Sequence, residues 1–246
     1  MGASLSVDGG VARLTLERPH VLNALDRSVA AALEAAQREL ARADGVRAVI
    51  VTGQGRAFCA GNDIAEMQRL TTEEAVAVSR RWQAIVDRFA ALPQVTIAAV
   101  RGAALGGGLM LALAQDLRVA ETSARLGLPE VSLGFNPSYG IGRLLDVAGG
   151  AHGRELLLTA RTVDAAEALR MGLVTRVVAD GALDAAVQEL ADGVARHPRG
   201  GLAASKAAVA AIRAGRPGGE PEAYAALLHD EAARARIAAF VAGRRR

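Results

Sequence analysis

The stretch Ala104-Leu105-Gly106-Gly107-Gly108-Leu109-Met110-Leu111-Ala112 places three consecutive glycines at the start of an apolar run. Glycine loses more backbone freedom on folding than other residues, so a glycine cluster before a helix-like segment indicates close approach by a ligand. Free N–H groups at a helix N-terminus also favour a negatively charged oxygen. We therefore expect a tight turn and a helix here, with a site for a developing oxyanion at the turn.

The composition of the whole chain is that of a folded protein with a large core. It has 246 residues, of which 51% are hydrophobic and 22% charged, which argues against extensive disorder. The net charge is only +3, and the final arginines at 244–246 can account for it, so we expect no nucleic-acid partner. A single cysteine, Cys59, excludes an internal disulfide framework. The four histidines are scattered, so we expect no metal site.

The N-terminal segment and the longest apolar region both favour a cytoplasmic location. The first residues include Asp8 and only a short apolar stretch, unlike a signal peptide. The apolar region from Val95 to Leu113 contains Arg101 and four glycines. It therefore predicts a buried strand, turn and helix in preference to a membrane span, and we expect no membrane partner.

Strand and helix signals alternate along the first 182 residues. Asp26 is placed to cap a helix from about Ser28 to Ala43, and Thr71 with Glu74 has the spacing of a capping box. Buried strands are predicted at 11–16, 46–52, 95–100 and 117–120, and the second helix runs from the capping box towards residue 92. Crossover-sized spacing between the strands predicts an α/β architecture.

The second half of the chain changes from loop to helix. Residues 127–142 are rich in turn residues and are predicted to loop around a pocket. A helix at 164–171, closed by Gly172, precedes a last strand at 173–178. From Leu183 onwards the chain is helical and rich in alanine, with breaks at 197–198 and 216–219. We therefore divide the chain into a core at 1–182 and a helical region at 183–246.

A second glycine-containing turn, Ala60-Gly61-Asn62-Asp63, also follows a buried strand. If its strand neighbours the one before the glycine cluster, the N–H groups of Asn62 and Gly107 converge on one oxygen atom. Two such donors would form an oxyanion hole. The alternative is a pair of tight turns with no ligand, and composition alone leaves both open.

Five segments in this order resemble the crotonase (enoyl-CoA hydratase/isomerase) superfamily: 23–26, 58–63, 102–108, 127–134 and 162–174. The resemblance spans about residues 5 to 245. It implies a spiral of ββα units and a helical C-terminal region that builds trimers, often paired as hexamers. It also implies an acyl-CoA substrate whose thioester carbonyl oxygen lies between the N–H groups of Asn62 and Gly107. Coenzyme A is then part of the substrate, and no separate cofactor is expected.

The same resemblance distinguishes two positions that carry catalytic carboxylates in the superfamily. Glu130 matches one, where an apolar pocket would raise its pKa and suit it to proton transfer. Met110 matches the other, and a thioether neither activates nor orients water. A single carboxylate at Glu130 is similar to the Δ3,Δ2-enoyl-CoA isomerase branch. A hydratase, another reaction such as decarboxylation, and a non-catalytic acyl-CoA binding protein remain as alternatives.

The remaining predicted site residues concern the bound thioester. The loop residues Asn136, Ser138 and Tyr139 lie where the resemblance places the acyl group. The resemblance implies coenzyme A contacts at Leu25, Ala60, Asp63, Ile64, Phe240 and Arg244. Among these, the aromatic at 240 would reach the coenzyme A of a neighbouring subunit. The arginine at 244 would supply the charge that the family's lysine carries at the position of Gly243, although a solvated tail is the favoured explanation of the arginines at 244–246.

Overall fold

The strands of the chain form two β-sheets in the computed structural model, which describes residues 2–243. The larger sheet has the order β1-β2-β3-β4-β6-β9, with only the β1–β2 pair antiparallel. Its strands are β1 Ala3–Asp8, β2 Val11–Leu16, β3 Ala48–Gly53, β4 Val95–Val100, β6 Leu117–Glu121 and β9 Arg176–Val178. The smaller sheet, in the order β5-β7-β8, consists of β5 Ala103–Leu105, β7 Arg125–Gly127 and β8 Thr162–Asp164.

Helices connect the strands and make up the C-terminal region. Those within the core are α1 Arg27–Arg42, α2 Ile64–Met67, α3 Thr72–Ala91, α4 Gly107–Leu113, α5 Ile141–Thr159 and α6 Ala165–Arg170. After the last strand come α7 Leu183–Ala195, α8 Arg199–Arg213, α9 Glu220–Leu228 and α10 Glu231–Gly243. Within the described residues, no helix combines the length and the apolar character needed to cross a bilayer.

The predicted helix starts are confirmed by their caps. Asp26 accepts hydrogen bonds from the N–H groups of Ser28 and Val29 at the start of α1. Thr71 and Glu74 form the reciprocal capping box of α3, and that helix ends at Leu92 before a proline. These side chains satisfy N–H groups that have no acceptor inside the helix, so a short sequence signal is enough to locate the boundary.

The large sheet is buried on both faces. Alternate residues of β3 and β4 contribute to two separate apolar clusters, because successive side chains of a strand point to opposite faces. One cluster joins the sheet to α1, α3 and α4. The other joins it to α7 through Leu183, Val187 and Ala191. Helix α7 therefore packs as part of the core, although it lies after the predicted boundary between the core and the helical region at residues 182/183. That boundary stays a prediction.

Several elements differ in extent from the prediction. The predicted turn at 102–108 includes the short strand β5, and the predicted loop at 127–142 contains a 3-10 helix at Pro129–Leu133. The last strand is only Arg176–Val178. Helix α5 was not predicted, and it is kinked where Gly149 adopts a φ of 70°. The predicted breaks after α7 and α8 are confirmed, and a further break separates α9 from α10.

Candidate active site

The two glycine-containing turns lie side by side. Strands β3 and β4 are parallel neighbours, so the segments that follow them emerge at one edge of the sheet. The Cys59 N–H donates to the Ala103 carbonyl at 2.9 Å, and the Leu105 N–H donates to the Cys59 carbonyl at 3.0 Å. The turn at 60–63 is therefore fixed against the turn at 105–108, as the sequence predicts for neighbouring strands.

Two backbone donors face the space between these turns. Leu25 bonds to the Gly61 carbonyl and the Asp63 N–H, which leaves the intervening Asn62 N–H pointing away from Leu25. Gly107 is the first residue of α4, so its N–H has no acceptor within that helix. Within residues 2–243, neither N–H donates to a protein acceptor. Both N–H groups are therefore without a hydrogen-bond acceptor in the part of the chain that the structure describes.

Each glycine of the cluster allows a different close contact. A side chain at Gly106 would meet a carboxyl oxygen of Glu130, and one at Gly108 would meet the Cys59 carbonyl. At Gly107 a Cβ would collide with the Asn62 side-chain oxygen and the Tyr139 hydroxyl. Gly106 also has a φ of 52°, a backbone conformation that residues with a side chain rarely adopt. The cluster therefore brings polar groups against bare backbone.

Glu130 presents a buried carboxyl beside Gly106. It lies in the 3-10 helix and is only 8% exposed. Its Oε2 atom has no hydrogen-bond partner among the described residues. Burial disfavours the charged form and raises the pKa of Glu130 above its ordinary value. A carboxylate with a raised pKa is a stronger base than an ordinary glutamate.

The position of the second expected carboxylate is apolar. Met110 is 1% exposed and lines the same cavity as Glu130. Its sulfur lies beside Gly140, where a Cβ would be 2.8 Å from Sδ. Glu130 is the only charged side chain among the described residues that line the cavity. Met110 can therefore supply packing but no carboxylate.

The cavity has a volume of about 350 Å³ and is bounded mainly by α2, α3 and the loop after Glu130. All three predicted loop residues, Asn136, Ser138 and Tyr139, line it. The sequence interpretation missed other lining residues on α2, on α3, between these helices and around the Glu130 loop: Met67, Leu70, Val78, Ser79, Trp82, Leu133 and Phe135. Trp82 recurs at helical spacing with other apolar residues of α3, so its pattern indicates core and gives no signal of a ligand.

The predicted coenzyme A contacts are spread over several environments. Ala60 and Ile64 line the cavity, whereas Leu25 and Asp63 line a small adjoining recess. The Ala60 N–H donates to Leu22 and the Asp63 N–H to Leu25, so both backbone donors are already used. The Asp63 side chain caps α2 and pairs with Arg18 at 3.1 Å.

The predicted aromatic contact Phe240 is not brought to this cavity. Phe240 lies on α10, is 61% exposed, and is not among the residues that line the cavity. Arg244 lies outside the described residues. Cys59, by contrast, is buried beside the glycine cluster, and burial raises the pKa of its thiol to about 12, as expected of an inert core cysteine.

The fold and the cavity together define a class of α/β protein. In this class, the turns that follow two parallel strands carry unpaired backbone N–H groups, and one buried carboxyl lies beside them. The family model described as enoyl-CoA hydratase/isomerase matches residues 6–229. The chain belongs to that family, within the crotonase superfamily.

Individual relatives agree with this assignment. The probable enoyl-CoA hydratase EchA17 of Mycobacterium tuberculosis is 42% identical over 212 residues, covering 84% of this chain and 79% of the relative. The short-chain-enoyl-CoA hydratase of Clostridium acetobutylicum is 37% identical over 83% of this chain and 79% of its own length. The crystal structure of an enoyl-CoA hydratase from Bacillus anthracis superposes with a TM-score of 0.92, at 29% identity, over 99% of this chain and 97% of that one.

Proposed function

We propose that the cavity binds an acyl-CoA thioester with its carbonyl oxygen between the N–H groups of Asn62 and Gly107. The observation that carries this proposal is the pair of free donors beside the Glu130 carboxyl. Removing a proton next to the thioester forms an enolate, whose negative charge accumulates on that oxygen. Fixed donors lower the energy of the enolate more than that of the neutral thioester, so they accelerate proton transfer.

The reaction that we propose is a shift of a double bond from Δ3 to Δ2. Glu130 takes a proton from C2 of a 3-enoyl-CoA, and the C3–C4 double bond moves into conjugation with the resulting enolate. The same carboxyl then returns a proton to C4 as the enolate collapses to the 2-enoyl thioester. One acid/base group suffices, and no water takes part, in keeping with the buried thioether of Met110.

Hydration of a 2-enoyl-CoA is the second candidate, and the names of the relatives favour it. Both EchA17 and the Clostridium acetobutylicum protein are called hydratases. In that reaction Glu130 would activate water, and a group other than Met110 would have to orient it. Decarboxylation has less support, because no lysine, arginine or histidine of the described chain lines the cavity to receive a substrate carboxylate. Binding of acyl-CoA without catalysis is the remaining alternative.

A substrate panel tests the proposal. Purified protein is incubated separately with 3-enoyl-CoA and 2-enoyl-CoA thioesters, and the products are identified by mass spectrometry after chromatography. We expect 3-enoyl-CoA to become 2-enoyl-CoA, and E130Q to lose at least about 100-fold in kcat. E189Q is the matched control, because Glu189 is an exposed carboxylate on α7. Full turnover by E130Q would contradict the role of Glu130.

We also propose that the protein assembles as a trimer or as a hexamer of two trimers in the cytoplasm. Apolar side chains are exposed along α8 to α10, among them Val209, Ile212, Ile237 and Val241. Exposed apolar surface of this kind is typical of subunit contacts. Analytical ultracentrifugation tests the assembly, and a monomer at micromolar concentration would contradict it.

A further inference from the structure

Tyr139 connects three parts of the cavity wall. It lies on the loop that follows the Glu130 3-10 helix and is 5% exposed. Its hydroxyl donates to Asn62 Oδ1 at 2.9 Å. Its ring stacks on Trp82 of α3, with centroids 6.2 Å apart and planes inclined by 18°. The phenol therefore joins the Glu130 loop to the Asn62 turn and is itself supported by α3.

The hydrogen bond lies directly against Gly107. A side chain at that glycine would occupy the space of both Asn62 Oδ1 and the Tyr139 hydroxyl. The contact thus lies against the first residue of α4, which carries one of the two backbone donors proposed to hold the thioester oxygen. Burial raises the pKa of Tyr139 far above neutral, so the phenol stays protonated and can donate at any physiological pH.

The turn that carries the Asn62 N–H is held from two sides. On the outer side, its neighbours bond to Leu25, and Asp63 pairs with Arg18. On the inner side, the bond from Tyr139 is the only hydrogen bond that the described residues provide to the Asn62 side chain. The Tyr139 contact therefore adds a side-chain restraint on the Asn62 turn to the backbone bonds that Cys59 makes with Ala103 and Leu105.

We propose that Tyr139 is a positioning residue, which acts through the Asn62 side chain to hold the Asn62 N–H at the spacing needed by the thioester oxygen. This inference rests on the proposed function, since it assigns a purpose to the same two donors. Because the 3-10 helix that carries Glu130 leads into the loop that carries Tyr139, the contact also helps to place the base relative to the oxyanion donors. Placement errors of about 1 Å in such donors are large enough to slow catalysis.

The test uses Y139F, which removes the hydroxyl and keeps the ring stacked on Trp82. We expect kcat to fall roughly fivefold to tenfold, the loss of about one neutral hydrogen bond, while KM changes less than about twofold. Y224F is the matched control, because Tyr224 is the other tyrosine of the chain and is exposed on α9. The control should keep the wild-type kcat.

A double-mutant cycle identifies the route of the effect. If Tyr139 acts through Asn62, N62A and N62A/Y139F have the same kcat, because the second change removes nothing further. A further loss of fivefold or more in the double variant would overturn the proposal, since the phenol would then act on the substrate directly. If Y139F does not fold, N62A alone is expected to show the same loss as predicted for Y139F, and unchanged kcat in N62A would overturn the proposal.

A spectroscopic readout separates this proposal from the reaction itself. Difference infrared spectra of bound butyryl-CoA, labelled with carbon-13 at the carbonyl, report polarisation of the thioester. We expect a downshifted carbonyl band in the wild type and a smaller downshift in Y139F. That result without any turnover would support the positioning role while contradicting the proposed reaction. Turnover with equal downshifts in both proteins would contradict the positioning role alone, and no downshift in the wild type would contradict both.

Discussion

At the scale of single residues, Glu130 and Met110 line one cavity but differ in whether they can transfer a proton. The carboxyl of Glu130 is buried with a free oxygen, whereas Met110 contributes a thioether packed on Gly140. The Glu130 carboxyl can therefore take and return a proton. The Met110 thioether has no charge with which to hold a reacting water. This difference is why we favour isomerisation within a family whose named relatives are hydratases.

Restoring a carboxylate at 110 tests that interpretation. We expect M110E to raise the rate of crotonyl-CoA hydration by at least about tenfold, since two carboxyls could then hold a water between them. M110Q is the size-matched control and should show no such gain. The measurement is the loss of the conjugated enoyl absorbance. Efficient hydration by the wild type, with no gain in M110E, would show that Met110 does not limit the reaction.

The raised pKa of Glu130 also predicts how stability changes with pH. The folded state binds this proton more tightly than the unfolded state, so the charged carboxylate opposes folding, and stability falls as pH rises from the unfolded pKa through the folded one. At neutral pH we therefore expect E130Q to be more stable than the wild type, by roughly 2–4 °C in Tm per kcal/mol regained.

Thermal unfolding of E130Q and wild type between about pH 4 and pH 8 checks this expectation. The advantage of E130Q should shrink towards acid pH, where the wild-type carboxyl is protonated and uncharged like the amide. An advantage that is constant across the range, or a loss at neutral pH, would contradict a desolvated carboxyl at Glu130.

At the scale of elements, the start of α4 controls the geometry of the candidate hole. We expect G107A to lower kcat by about 100-fold or more, because the added methyl group collides with Asn62 and Tyr139 and separates the two donors. G45A is the matched control, since a Cβ there meets nothing within 4 Å. Steady-state kinetics of both variants provide the measurement. Near-wild-type activity in G107A would contradict the expectation that the spacing of the two donors depends on a bare backbone at this position.

Local signals predicted some elements well and missed others. Three helices begin at a side chain that accepts a hydrogen bond from a nearby backbone N–H, namely Asp26, Thr71 and Asp164. A few residues were therefore enough to predict where these helices begin. Helix α5 was missed because its glycines weaken the helical pattern. Packing of its buried residues Leu144 and Leu156 supports it instead. Such tertiary support leaves no local trace in the sequence.

The candidate site likewise combines residues that lie in local sequence motifs with contacts between residues that are far apart in the sequence. The donors at 62 and 107 and the carboxyl at 130 lie in recognisable motifs, so their positions were predictable. The Tyr139–Asn62 bond joins residues 77 positions apart, and its partner ring comes from Trp82 on a third element. Only the folded chain brings these three side chains together.

At the scale of the whole molecule, a partly buried ion pair joins the helical region to the core. Lys206 of α8 is the single lysine of the sequence, and it pairs with Asp116 at 2.7 Å and donates to the Gln94 carbonyl at 2.6 Å. Asp116 in turn accepts from Thr96 beside it on β4. Charge and hydrogen bonds thus join α8 to the sheet.

We expect K206A to lower the free energy of unfolding by about 3 kcal/mol, because it leaves the Asp116 carboxylate without its cation. Urea unfolding followed by circular dichroism gives the value. R170A is the control, as Arg170 is exposed at the end of α6 and should change stability by less than about 0.5 kcal/mol. Equal stability of K206A and wild type would mean that the pair does not hold α8 in place.

The most direct test of the central claim follows the oxygen and the double bond in one experiment. A 3-enoyl-CoA is incubated with the protein in water enriched in oxygen-18, and the products are resolved by chromatography and mass spectrometry. Proton transfer through Glu130, with the enolate held by Asn62 and Gly107, predicts 2-enoyl-CoA of unchanged mass as the main product. A main product of 3-hydroxyacyl-CoA carrying oxygen-18, or no conversion at all, would contradict it.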